Sequence, residues 1–99
     1  AHYLRWLENL NRKTGHKIFL LNVPAPTWDS GYDKNTNRRR ANVVSLFNQH
    51  LNDMLPSRHQ IIDTYTPTKN NHGFSNNLYH IDSFHLGPRF LIEVEKQLN

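Results

Sequence analysis

The sequence predicts an α/β fold in which three helices alternate with two parallel strands, in the order α-β-α-β-α. Three observations carry this: an apolar stripe at helical spacing near the start, two short continuous apolar runs, and a long amphipathic segment between those runs. A helix between two strands implies a parallel pair joined by a right-handed crossover, the building unit of a doubly wound sheet.

Leu4, Leu7 and Leu10, with Tyr3 and Trp6 beside them, set the first helix, which Thr14-Gly15 stops; Trp6 at this spacing is expected in the core. The run from Lys17 to Val23, closed by Pro24, reads as an interior strand buried on both faces. Pro24 to Asn37 holds two prolines, Gly31 and several Asp and Asn residues, so a loop of about 14 residues follows, and long loops after strands are often functional. A second helix is expected from near Asn37 to Leu55, with Val43, Val44, Phe47, Leu51, Met54 and Leu55 as its apolar face and Pro56 as its end. Arg38, Arg39 and Arg40 then fall in the first helical turn, where the macrodipole disfavours each by roughly a few tenths of a kcal/mol. Either the helix starts later or these side chains bind something anionic. His59 to Tyr65, ended by Thr66-Pro67, is the second strand; a polar, Asn-rich stretch from Lys69 to His80 follows. Gly87-Pro88 opens the last helix, with Leu91, Val94 and Leu98 as its stripe.

A chain of 99 residues supports at most one hydrophobic core, so it is one domain or part of one. Its hydrophobic fraction of 36% and mean hydropathy of −0.77 are low for a buried α/β sheet, while its two Trp, four Tyr and five Phe argue that it folds. No apolar run approaches the roughly 18 residues that span a bilayer, and the first residues lack a signal-peptide pattern. The first residue is Ala, which leaves the natural start open, and localisation stays undecided between cytoplasmic and exported. Zero cysteines exclude disulfide frameworks and thiolate chemistry. The net charge of +4 has one dense basic run, Arg38 to Arg40, without the interleaved aromatics that nucleic-acid binding wants. These arginines read as solvated surface.

Chemistry concentrates in Ile81-Asp82-Ser83-Phe84-His85-Leu86-Gly87-Pro88, where a carboxylate and an imidazole lie three residues apart in a loop before a helix. That spacing lets the carboxylate accept a hydrogen bond from the near ring nitrogen of His85, fixing its tautomer and stabilising the imidazolium formed when the far nitrogen takes a proton. Two such residues are a weak signal alone; here they follow a β-α-β unit and run through Leu86 and Pro88 into a terminal helix. In that setting the chain resembles the SGNH (GDSL-type) serine hydrolases, whose final block is a D-x-x-H loop followed by the last helix. The resemblance extends to the strand and loop Ile18 to Pro26, the Val43 to Leu55 helix with Phe47-Asn48, and the strand ending at Asp63.

The resemblance implies that residues 1–99 are the C-terminal half of one flavodoxin-like three-layer α/β/α sandwich. It further implies a fragment of an esterase acting on an acyl ester, with His85 as general base and then acid, Asp82 as its orienting carboxylate, and no cofactor. The chain departs from the family in what it lacks: the G-D-S block with the serine, the block with the oxyanion-hole glycine, and the G-x-N-D block. Asp29-Ser30-Gly31 lacks the preceding glycine and follows what would be the fourth strand, and Asn52-Asp53 lies within a helix. The chain alone is therefore expected to be inactive and to need the missing N-terminal half or a second copy.

Trp28, in the loop after a strand, is placed to line a substrate cleft. His80, Asp82 and His85 offer three potential ligands in six residues, but no HExxH spacing accompanies them and no metal is expected. His2, His16, His50, His59 and His72 read as surface polarity. From a different class, the chain reads as a noncatalytic interaction module that keeps the SGNH architecture and offers its basic loop to an anionic partner; a nucleic-acid-binding domain is the third reading.

Overall fold

The computed structural model describes residues 2–56 and 59–98. It is a mixed α/β structure with helices α1 (His2–Thr14), α2 (Lys34–Met54) and α3 (Leu91–Leu98), strands β1 (Phe19–Leu21) and β2 (Gln60–Ile62), and a 3-10 turn over Pro88–Phe90 that leads into α3. β1 and β2 pair in parallel, with Phe19 opposite Gln60 and Leu21 opposite Ile62. Their connection runs through α2. No described helix is long and apolar enough to cross a membrane.

Both strands are three residues long, shorter than their apolar runs, because polar side chains take over the backbone groups beyond the ladder. Val23 N donates to Asn48 Oδ1 at 2.8 Å and Val23 O accepts from Asn48 Nδ2 at 2.7 Å, which turns the chain after β1 onto α2. After β2, Asp63 N donates to Gln97 Oε1 at 2.6 Å and Thr64 N to Asn22 Oδ1 at 2.6 Å. An amide side chain carries both donor N–H groups and an acceptor oxygen, so it can pair the N–H and C=O of a peptide and end a strand while leaving the backbone satisfied.

α2 begins three residues before its expected start near Asn37. Asp33 is the N-cap, its carboxylate accepting from Thr36 N at 2.6 Å, and this bond with Thr36 holds the Asp33 carboxyl below its ordinary value. The loop after β1 is correspondingly shorter. Arg38 to Arg40 lie beyond the first turn, so the expected conflict with the macrodipole does not arise. Nor are all three simply solvated. Arg40 Nη1 donates to Thr27 O (3.1 Å) and Asn37 Oδ1 (2.9 Å), and Arg38 Nη1 donates to His72 O (2.8 Å). α1 ends at Thr14 as its stop signal requires, with Gly15 at φ 72° and its N–H on Asn11 O.

The core is half polar. Leu7, Ala25, Ala41, Ile62, Phe74 and Phe90 are buried, and so are Asn37, Asn48, His59, Thr64, Thr68 and Ser75. Thr68 Oγ accepts from Ala25 N at 2.9 Å and donates to Thr64 O at 2.6 Å, tying the loop after β1 to the segment after β2. His59 is buried, not a surface residue: its Nδ1 accepts from Ile18 N at 3.3 Å and its Nε2 lies 3.2 Å from Glu8 Oε2. These polar contacts between distant segments stand in for hydrophobic burial, which explains how so hydrophilic a sequence holds a fold.

β1 is not covered on both faces. Phe19 is 47% and Leu21 65% exposed, and Trp6, placed in the core by its spacing, is 60% exposed. Val43, Leu46 and Phe47 on α2 and Leu91 and Ile92 on α3 are exposed too. The accessible surface is 7151 Å², against about 5,900 Å² for a compact monomer of 11.7 kDa. The radius of gyration is 15.2 Å, where a compact domain of this length has about 13 Å.

Candidate active site

Asp82 and His85 lie at the tip of a short hairpin. An antiparallel bridge pairs His80 with Leu86, and Ile81 N to His85 O (3.0 Å) and Gly87 N to Tyr79 O (2.7 Å) close it. Gly87 is demanded by close approach: a Cβ there would lie 2.6 Å from Ile81 Cγ2 and 3.4 Å from Tyr79 O. Isoleucine branches at Cβ and is stiff, so it cannot simply swing away. The hairpin's base is anchored on the last helical segment. The Tyr79 ring packs edge-on against buried Phe90 at 5.3 Å, and its hydroxyl donates to Glu93 Oε1 at 2.8 Å, a bond that raises the Tyr79 pKa above its ordinary value.

At the tip, Asp82 Oδ1 accepts from Phe84 N and His85 N, both at 2.7 Å, an Asx turn that folds the carboxylate back over the loop. The same carboxylate meets His85 Nδ1 at 3.0 Å (Oδ1) and 2.9 Å (Oδ2). The Phe84 N–H, then the His85 ring and its N–H, hold the Asp82 carboxyl below its usual value, so it is ionised at neutral pH. A carboxylate can only accept, so neutral His85 carries its proton on Nδ1 and offers Nε2 as a base. The imidazole side chain is 73% and the carboxylate 51% exposed. In a working Ser-His-Asp triad the carboxylate is buried.

Trp28 lies on the loop after β1, which is fastened to α2 and to the hairpin. Asn37, fully buried, accepts from Asp29 N at 3.2 Å and donates to Asp29 O at 2.9 Å. Thr27 Oγ donates to Ser83 O at 3.2 Å, linking the Trp28 loop directly to the Asp82–His85 tip. Trp28 is 54% exposed, rests edge-on against buried Phe74 at 5.2 Å, and borders a cleft of about 400 Å³. Trp28 and His85 are thus carried by two loops that touch. Ser30 lies in an exposed turn that Asp29 closes by accepting from Gly31 N at 2.8 Å.

His80 joins no ligand set with Asp82 and His85; among the described residues no three His, Asp or Glu side chains gather as metal ligands. Its Nδ1 instead lies 2.7 Å from Ser75 Oγ, which also accepts from Asn77 N at 3.0 Å. Burial lowers the His80 pKa, and the Asp82 carboxylate opposes that shift. Ser75 is 5% exposed, so the pair braces the hairpin's first arm from inside. Nothing in the spacing of Ser75 and His80, five residues apart in an Asn-rich stretch, signals this contact. No family model, curated protein or solved structure matches this chain.

Proposed function

We propose that the chain is the C-terminal half of an SGNH-type serine esterase domain, a flavodoxin-like three-layer sandwich whose serine and oxyanion hole come from sequence outside these 99 residues. One observation carries the reading: a loop directly ahead of the terminal helix in which an ionised Asp82 binds His85 Nδ1, leaving Nε2 as the base. The parallel β1-α2-β2 unit and its uncovered apolar faces support it.

In this reading Nε2 of His85 takes the proton of the serine hydroxyl as Oγ bonds to the ester carbonyl carbon. Asp82 stays ionised and stabilises the imidazolium that results. The imidazolium then gives its proton to the departing alkoxide as the ester C–O bond breaks, leaving an acyl-serine. Water, deprotonated by the same nitrogen, attacks the acyl carbon; the acid leaves and the serine recovers its proton. Trp28 borders the cleft that holds the ester's non-reacting part. The missing half supplies the oxyanion donors, and it or a second copy covers the exposed sheet.

The test is hydrolysis of p-nitrophenyl acetate. The 99-residue chain alone releases no product above a buffer blank, because loss of serine and oxyanion hole together removes more than the residual 10³ to 10⁴ that roughly survives loss of a single triad member. Expressed with the coding sequence that precedes it, the protein turns over and His85→Ala abolishes it. The absence of a strand followed by Gly-Asp-Ser in that preceding sequence would overturn the proposal in favour of a noncatalytic module. Turnover by the isolated chain, lost in His85→Ala, would instead place the nucleophile within these residues.

A further inference from the structure

We infer that the cleft beside Trp28 binds an acidic sugar, the ring stacked on the indole and its carboxylate held by Lys34 and Arg38; this rests on the esterase reading for its connection to the His85 loop. Trp28, Lys34, Arg38, His72, Phe74 and Asn77 surround the cleft, and they come from three separate parts of the chain. Trp28 presents a half-exposed aromatic surface held by Phe74 behind it, the kind of rigid platform that the apolar face of a pyranose covers at little entropic cost.

The charge of the ligand follows from the cations. Arg38 is positioned before anything binds: its guanidinium stacks over the Phe74 ring at 5.1 Å and one nitrogen donates to His72 O at 2.8 Å. Its other N–H groups remain available, and a planar fork suits a carboxylate. Neither Lys34 nor Arg38 has a carboxylate partner among the described residues. Two unneutralised cations beside an aromatic platform in a cleft favour an anionic ligand with a stackable ring. A sugar is favoured over a nucleotide because the neighbouring side chains, Asn77 among them, pair hydroxyls as donor and acceptor alike. Thr27, which also borders the cleft, is bonded to Ser83 in the loop that would process an ester on such a hydroxyl.

The test reads Trp28 directly. In Trp6→Phe, Trp28 is the sole indole, and its emission is followed during titration with trigalacturonate and, in parallel, with neutral galactotriose. The expected result is a saturable change with the acidic trimer alone. It should weaken about fivefold in Lys34→Gln, a side chain that makes no hydrogen bond or ion pair in the described fold, and weaken again as salt is raised. No saturable response, equal affinity for the neutral trimer, or tighter binding of a nucleoside monophosphate would each overturn the inference. Binding that persists in a protein without hydrolase activity sinks the esterase reading alone; hydrolysis without acidic-sugar binding sinks this inference alone.

Discussion

Truncating Asn37 to alanine should cost about 2–5 kcal/mol of stability and loosen the loop that carries Trp28. Asn37 is fully buried, and its amide makes three bonds: from Asp29 N (3.2 Å), to Asp29 O (2.9 Å), and from the Arg40 guanidinium (2.9 Å). Two neutral bonds at about 1 kcal/mol each and one to a charged donor at about 1.5–3 kcal/mol set the upper end. Asp29 is exposed, so water reaches part of what the mutation leaves unpaired, which sets the lower end. Chains of this length have about 5–15 kcal/mol in all, and each kcal/mol moves the melting temperature by about 4–8 °C. Urea unfolding followed by circular dichroism measures the loss, and Trp28 emission in the Trp6→Phe background measures the loosening. Asn37→Asp sharpens the test: it keeps the acceptor facing Arg40 but sets an oxygen against Asp29 O. A midpoint for Asn37→Ala within error of the parent would refute the view that amide side chains, rather than apolar packing, hold this loop.

Gly87→Ala should lower stability and disorder the hairpin tip, since the new methyl meets Ile81 Cγ2 at 2.6 Å; rescue by Ile81→Ala in the double mutant, read from unfolding midpoints, would confirm the clash as the cause. Stability should fall on acidification in two windows. The folded-state pKa of His80 is depressed by burial, so its contribution is complete above the ordinary imidazole value of 6.5 and lost as pH falls below it; His80→Gln flattens that slope in urea midpoints. For Asp63, burial works against ionisation, but hydrogen bonds from Thr66, Asn22 and Tyr65 prevail and depress its pKa. Its contribution is complete above the ordinary carboxylate value of 3.8 and lost as pH falls through the depressed one; Asp33 and Asp82, also lowered, titrate in the same window, so Asp63→Asn removes only its own share of that second loss. Finally, the isolated chain should associate at micromolar concentration. Its surface exceeds that of a compact monomer by roughly 1,300 Å², the scale of a stable interface. A monodisperse 11.7 kDa species in light scattering would show that no covering partner is needed.

The element order was legible because it depends on periodicity, which local sequence carries. Leu4, Leu7 and Leu10 mark α1, Gly15 its end, and Gly87-Pro88 the approach to α3. Strand lengths and burial were not legible because they depend on long-range polar partners. Val23 reads as strand until Asn48, 25 residues later, captures both its backbone groups, and His59 reads as surface until Ile18 and Glu8 enclose it. The start of α2 was legible in principle: Asp33 three residues before Thr36 is an N-cap pattern that the density of loop-forming residues obscured. The Asp82–His85 contact is local, three residues in one loop, and so lies within reach of sequence reasoning. The Thr27–Ser83 bond, spanning 56 residues, does not.

The uncovered surface and the candidate site are one region in part, and this bears on how activity would arise. Ile81 is 68% and Phe84 80% exposed, and they flank Asp82 on the hairpin that presents His85. Solvent at the tip screens the carboxylate from the imidazole, so the pair stabilises an imidazolium less than it would in a low-dielectric site. Large apolar side chains beside a functional pair in water are what an interface looks like before it closes. A partner that buries Ile81 and Phe84 would also exclude water from Asp82 and strengthen its hold on His85. On the proposed reading, the half-domain that brings the serine therefore does two things by docking once: it supplies the nucleophile, and it gives the acid-base pair the dry surroundings in which its geometry becomes effective.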